Sequence, residues 1–228
     1  MFKPNKLFNL QETHYHEIFH GVEYAWEAIP KIEKYIQEHI KPNKEATGMG
    51  SIIIEGEVEI GEGTIIEPNV YIKGPAIIGK NCVIRQSAYI RGNVLIGDNC
   101  VIGNSTEIKN AILFNHVAVP HFNYIGDSIL GYKVHLGAGV ILSNVKIPPK
   151  EIKVITLEKR YDTGLIKFGA LIGDNTEIGC NAVLNPGTVL GQHCLVYPGV
   201  VFRGVAPDRA IVKLKQEQEI VIKLSTKE

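Results

Sequence analysis

Histidine is the side chain whose ordinary pKa, about 6.5, lets it exchange a proton near neutrality, and this chain of 228 residues holds eight of them. His14, His16 and His20 lie close together in a stretch with helical spacing. No Cys or acidic partner stands at matched ligand spacing, so they read as surface residues. His116 and His121 are five residues apart and raise a metal alternative. A catalytic zinc needs three protein ligands, and no histidine occurs between His39 and His116, which leaves His135 to complete such a set. His121 is also distinguished by standing beside a break in an otherwise regular pattern. Arg91 and Lys109 are cations which, taken singly, are ordinary solvated charges. The four cysteines, Cys82, Cys100, Cys180 and Cys194, contain no C-x-x-C pair and read as reduced thiols rather than a disulfide framework or zinc cluster.

These groups must be positioned by a repeat of period six. An aliphatic residue recurs from Ile54 through Ile60, Ile66 and Ile72 to Ile108, with Phe114 and Pro120 continuing the count. It resumes at Leu130, Leu136 and Leu142, and again from Ile172 to Phe202. Four residues after each stands a small or branched side chain, such as Val70, Cys82, Cys100, Thr106, Ala118 or Cys194. A helix would space its apolar residues by three and four, and an ordinary strand alternates over one short segment. A six-residue unit fits a short strand plus a turn, with three units closing one coil of a parallel β-helix and both recurring positions pointing inward. The turns at 78–81, 96–99 and 172–175 place Gly and Asn where positive φ costs least. Cys82, Cys100 and Cys194 fall in the inward slot and behave as buried hydrophobes. Cys180 falls in a turn.

The repeat breaks twice. At residues 120–124 the frame slips, so that Tyr124 is in register with Leu130. From 147 to 169 the chain makes an excursion too long for a turn, carrying Lys150, Lys153, Lys159, Arg160 and Lys167; such loops serve as lids, binding loops or arms to a neighbouring subunit. Ahead of the repeat, Val22, Trp26, Ile29, Ile32, Ile36 and Ile40 show helical spacing, predicting two short helices packed on the prism, whose open ends need cover. The organisation expected is a helical leader and linker over 1–50 (linker 41–50), the β-helix over 51–205, and a strand and tail over 206–228. Residues 210–214 are expected to form the last strand, and 220–224 are apolar enough to pair or pack, though the sequence does not determine their structure. Twenty-four basic side chains balance twenty-four acidic ones, which gives no electrostatic footprint for nucleic acid or an anionic membrane. The apolar runs are far short of a membrane span, and the first ten residues lack a signal-peptide core, so a cytoplasmic protein is expected.

The hexad is that of the left-handed β-helix proteins. That resemblance implies an all-β, left-handed parallel β-helix of about seven coils with a short N-terminal helical segment. Within it, AYIRGNVLIGDNCVIGNSTEIKNA, NHVAVPHFNYIGD and LGAGVILSN resemble the acetyltransferase domain of bacterial bifunctional N-acetylglucosamine-1-phosphate uridyltransferase, and the C-terminal domain of sugar-1-phosphate nucleotidyltransferase-like proteins. The resemblance implies that Arg91 and Lys109 hold the phosphate and sugar, that Tyr124 contacts the sugar, and that His121 is the general base. Ala138 and Asn144 fall where the family touches acetyl-coenzyme A. His135 stands where the family has a sugar-binding Asn, Cys180 where it has a Ser near the cofactor, and Val145 where it has a Tyr.

The implied protein is a homotrimeric, acetyl-coenzyme A-dependent N-acetyltransferase acting on an amino sugar 1-phosphate, such as glucosamine 1-phosphate, or on a nucleotide-linked amino sugar. The three departures motivate a second reading, a non-catalytic module binding a sugar phosphate or nucleotide sugar, the stand-alone C-terminal half of a sugar nucleotidyltransferase. A third, from His116, His121 and His135, is a metal-dependent enzyme resembling the carbonic anhydrases of this fold. The residues ahead of the prism are too few for a nucleotide-binding α/β unit, so nucleotidyl transfer is not expected.

Overall fold

The computed structural model describes residues 1–43, 51–215 and 217–222. Three parallel sheets of eight strands each form the faces of a prism. The first face runs from Ile53–Glu55 to Val201–Phe202, the second from Val58–Ile60 to Val205–Ala206, and the third from Ile65–Ile66 to Ile211–Val212. The chain visits the faces in turn, so each strand pairs with its equivalent one coil away: Ile54 with Ile72, Ile78 with Ile96, Ile84 with Ile102. Eight strands per face exceed the about seven coils expected: the first face already has eight by Val201–Phe202, and on the third face Ile211–Val212 pairs in parallel with Leu195–Val196, extending the prism past residue 205. Cys82, Cys100 and Cys194 lie in the apolar core, and Cys180 is exposed.

The period is lost at two places, and neither is the slip that the sequence spacing suggests. Tyr71 pairs with Tyr89, eighteen residues on, but Val94 pairs with Ala111 and Glu107 with Tyr124, seventeen residues on. At the corner between first and second faces, one coil has Gly92 and Asn93, the next has Asn110 alone, and the one after has Asp127 alone. Leu113, Val119 and Ile125 therefore point into the core where Phe114, Pro120 and Tyr124 would continue the count. Likewise Val117, not Ala118, fills the inward small slot.

Phe114 shows where the displaced apolar residue goes. Regular coils have Gly79, Gly97 and Gly131 at that turn, whereas Phe114 turns out of the prism and packs on Phe8 at 5.1 Å and Phe19 at 6.0 Å. Those two belong to the leader, which is built of short helices from Pro4–Leu7 to Ile32–His39. The leader covers a side of the prism instead of an open end. Outward residues of the second face, among them Ile77, Leu95, Ile112 and Leu171, are buried in one cluster with Trp26, Ile32, Ile36 and Phe168. Second-face strands under the leader are accordingly apolar at every position, as in Ala76–Ile78 and Val94–Ile96, because both sides are buried. First-face strands such as Tyr89–Arg91 bury only the middle residue.

The excursion is equally local. Lys153–Ile155 and Arg160–Asp162 form an antiparallel hairpin whose Tyr161 meets Phe2 at 5.0 Å and Tyr24 at 5.8 Å. It thus folds back on the chain's own leader rather than reaching away as an arm, and leaves Leu157 at its tip fully exposed. Asn43 finishes the first rung, its side chain donating to the Ile60 carbonyl at 3.0 Å and accepting the Ile60 N–H at 2.8 Å. Ile220, Val221 and Ile222 of the expected tail segment are exposed and in no strand, so they neither pair nor pack; residues 44–50 of the expected linker, and 223 and 224 of the tail segment, lie outside the described residues.

Phe114→Ala removes the ring that joins leader to prism. It is expected to lower the unfolding free energy by about 3 kcal/mol, measured by urea titration, and to expose the first forty residues to limited proteolysis before the prism is cut.

Candidate active site

Strand Ala118–His121 ends at the corner leading from the third face to the first. One coil on, Ala138 stacks on His121, and one coil further Cys180 stacks on Ala138. The N–H of Gly139 donates to the His121 carbonyl at 3.0 Å, that of Asn181 to Ala138 at 2.8 Å, and that of Gly199 to Cys180 at 2.9 Å. Three residues distant in sequence thereby line one edge at steps of about 4.8 Å. His121 and Cys180 are exposed and Ala138 is half-buried.

The turn at 120–123 is unlike its neighbours along that edge. A Cβ on Gly103 would lie 1.6 Å from the Pro120 carbonyl oxygen, so only glycine lets Pro120 settle on the coil before it. Phe122 has φ 51° and stands 59% exposed, in a left-handed slot occupied elsewhere on this corner by Asn69, Ser87, Ser105, Gly139, Asn181 and Gly199. Asn and Gly adopt that conformation cheaply; a bulky aromatic does not. Asn123 is 2% exposed in an inward slot otherwise held by Ile, Val, Ala or Thr. Its Nδ2 donates to the Gly137 carbonyl at 2.8 Å, and its Oδ1 accepts the His121 N–H at 3.1 Å.

Across the first face from His121, a second ladder follows the opposite edge. Lys109 pairs with Gly126, and beyond it come Ser143, Asn185 and Arg203, set by the pairs Leu142 with Leu184 and Leu184 with Phe202. Arg91 adjoins Lys109 one rung earlier, and its Nη1 meets Glu107 Oε1 at 2.6 Å. Both members of that pair are substantially exposed, so it contributes at most about 1 kcal/mol, but it shares the charge of Arg91. The cationic pair expected from sequence is therefore Lys109 plus an already engaged Arg91. Further up the edge, Lys146, Lys150 and Arg203, with Ser143 and Asn185, line a cavity of about 480 Å³. Burial, followed by the positive charges of Arg203 and Lys153, holds the Lys146 ammonium below its usual range.

Tyr124 lies on the face between the two edges. Its hydroxyl and the Asn144 amide crowd over Gly126, where a Cβ would lie 2.8 Å from Tyr124 Oη and 2.6 Å from Asn144 Nδ2. Burial, then the carboxylates of Glu107 and Asp127, raise the Tyr124 phenol, opposed by the Asn144 hydrogen bond and the Arg91 charge. Asn144 is itself committed. Its Nδ2 donates to Asp127 Oδ2 at 2.5 Å, while Asn110 Nδ2 donates to Asp127 Oδ1 at 2.7 Å. Ala138 and Asn144, both expected at the cofactor, thus stand at opposite ends of strand Ile141–Leu142.

His135 projects from the third face, exposed, paired along the stack with Ala118 and Glu177. His116 occupies a left-handed turn at the other end of the strand from His121, edge-on to Tyr132 at 5.5 Å. Among the described residues no three His, Cys, Asp or Glu cluster in a way that could hold a metal ion. Glu107 and Asp127 lie within the family-like stretches but were given no role there, and Phe122 and Asn123 were not singled out at all. Two were visible as exceptions: a bulky residue in the Asn, Ser and Gly slot, and an amide in the apolar slot.

Residues 169–204 match the family described as bacterial transferase hexapeptide (six repeats), and residues 72–157 the GMPPB C-terminal domain. The chain is a hexapeptide-repeat β-helix. It is 34% identical over 194 residues to the bifunctional protein GlmU of Methanococcus aeolicus, covering 85% of this chain and 46% of that protein. A bifunctional sugar-1-phosphate nucleotidylyltransferase/acetyltransferase of Sulfurisphaera tokodaii is 36% identical over 91 residues, 40% of this chain and 23% of that one. The chain therefore spans about half or less of the length of these curated relatives. Among solved structures, the acetyltransferase domain of PglB from Neisseria gonorrhoeae, in complex with acetyl coenzyme A, aligns with TM-score 0.41 at 19% identity over 65% of this chain and 53% of that one.

Phe122→Asn removes the strained conformation and is expected to stabilise the protein by about 1 kcal/mol, read from the denaturant midpoint. Asp127→Ala leaves the amides of Asn110 and Asn144 without their shared acceptor and is expected to cost about 2 kcal/mol by the same measurement.

Proposed function

We propose that this protein is an N-acetyltransferase that moves an acetyl group from acetyl-coenzyme A to an amino sugar 1-phosphate or a nucleotide-linked amino sugar. The observation that carries this reading is the edge on which His121, Ala138 and Cys180 stack in succession, facing a cationic edge across Tyr124. Small residues at Ala138 and Gly139 leave room along the first edge for an extended donor, whose thioester supplies an activated acyl carbon when bound. The remaining work belongs to the chain. An ammonium cannot act as a nucleophile, so the exposed His121 imidazole removes its proton, a contribution of about 10² to 10⁴ in rate. Lys109 and Arg91 hold the phosphate through charge-assisted hydrogen bonds, with Lys146, Lys150 and Arg203 available further along the edge. Tyr124 presents its hydroxyl to the sugar. His135 and Cys180 flank acceptor and donor respectively. The working form in this reading is a homotrimer in the cytoplasm, in which a neighbour's face closes the groove; among the described residues no helix is long and apolar enough to cross a membrane.

Two engagements favour a second reading, a module that binds a sugar phosphate or nucleotide sugar without reaction: Arg91 is paired with Glu107, and Asn144 with Asp127. Release of free thiol from acetyl-coenzyme A in the presence of glucosamine 1-phosphate separates the readings. His121→Ala is expected to lower kcat by about 10² to 10⁴ with the fold intact by circular dichroism. Absence of any His121-dependent turnover in the wild type leaves the binding module.

A further inference from the structure

We infer that Asn123 is a positioning residue for His121, locking a strained turn so that the imidazole is aimed along the edge; this rests on the acetyltransferase reading only for its kinetic consequence. Among the described residues no hydrogen bond reaches the His121 ring, so its direction is set by the backbone that carries it. That backbone is under stress from both sides. Pro120 presses on Gly103, and Phe122 is held at φ 51° where every other coil of this corner has Asn, Ser or Gly. A turn of this kind relaxes unless its surroundings over-determine it.

Asn123 is the group that does so. Buried in a slot that the neighbouring coils fill with Thr106 and Val140, it joins the His121 N–H to the Gly137 carbonyl of the next rung with the two ends of one amide. Thr106 gives the comparison. Its hydroxyl donates to the Val119 carbonyl at 3.1 Å and accepts the Asn123 N–H at 3.3 Å, bonding between rungs without bonding the N–H of Asn104. A carboxamide at this slot therefore adds one thing that a hydroxyl does not, a hold on the residue two before it. Misplacing a reacting group by about 1 Å costs about 10²-fold in rate, which is the scale expected here.

Two variants separate the lock from the core it sits in. Asn123→Val copies Val140 and keeps the prism filled; Asn123→Thr copies Thr106 and keeps a rung-to-rung bond. Both are expected to fold with unchanged or raised melting temperature and to lower kcat in the thiol-release assay about 10²-fold, with KM within about twofold. Both are expected to speed amide hydrogen exchange at His121 by about tenfold. Wild-type kcat in either variant, or restoration by Asn123→Thr, overturns the proposal. If the wild type itself transfers no acetyl group, the acetyltransferase reading fails, and exchange in Asn123→Val decides alone: faster exchange at His121 supports the lock, and unchanged exchange removes it.

Discussion

Backbone hydrogen bonds between successive coils hold equivalent residues about 4.8 Å apart, and that spacing converts a linear sequence into edges and faces. Position within a coil decides which edge a side chain joins, and the number of coils between two residues decides how far apart they stand. His121, Ala138 and Cys180 become neighbours for this reason alone, as do Lys109, Gly126 and Ser143 on the opposite edge. The same spacing makes the stack unforgiving. Where one coil bulges toward another, as Pro120 does, the facing residue must be glycine, because a single methyl group has nowhere to go.

The inward hexad was legible because burial imposes it on every coil, and the exposed turn containing Cys180 was legible because Gly and Asn mark it. The frame was harder to follow. Losing one residue at Asn110 and another at Asp127 leaves no gap in the apolar pattern, since Phe114 and Pro120 are apolar too and stand next to the true core residues Leu113 and Val119. The side on which the leader packs was written in second-face strands such as Ala76–Ile78, apolar at all three positions, but a six-residue count treats those extra aliphatics as noise. Glu107 beside Arg91 was not legible, because residues sixteen apart, set diagonally on neighbouring rungs, carry no local signal of contact.

Polar groups inside the stack mark where regularity gives way to local demand. Asp127 gathers the amides of Asn110 and Asn144 at the corner where both residues were lost, so the shortened turns are tied by side chains in place of the missing backbone. Asn123 performs a comparable task at the other edge. Neither replaces apolar burial as the source of stability; each fixes a conformation that apolar packing leaves free.

The excursion leaves the prism after Asn144 and rejoins it at Phe168, whose N–H bonds the Asn144 carbonyl at 2.9 Å. Ile129 consequently pairs with Leu171 as though no residues intervened. At this one corner, chain length and coil count are independent variables. The connection there can change in length without shifting the register of the stack, provided Ile152 and Val154 keep their buried places against the second face, whereas a single residue added within a strand would turn the rest of that strand to the wrong side.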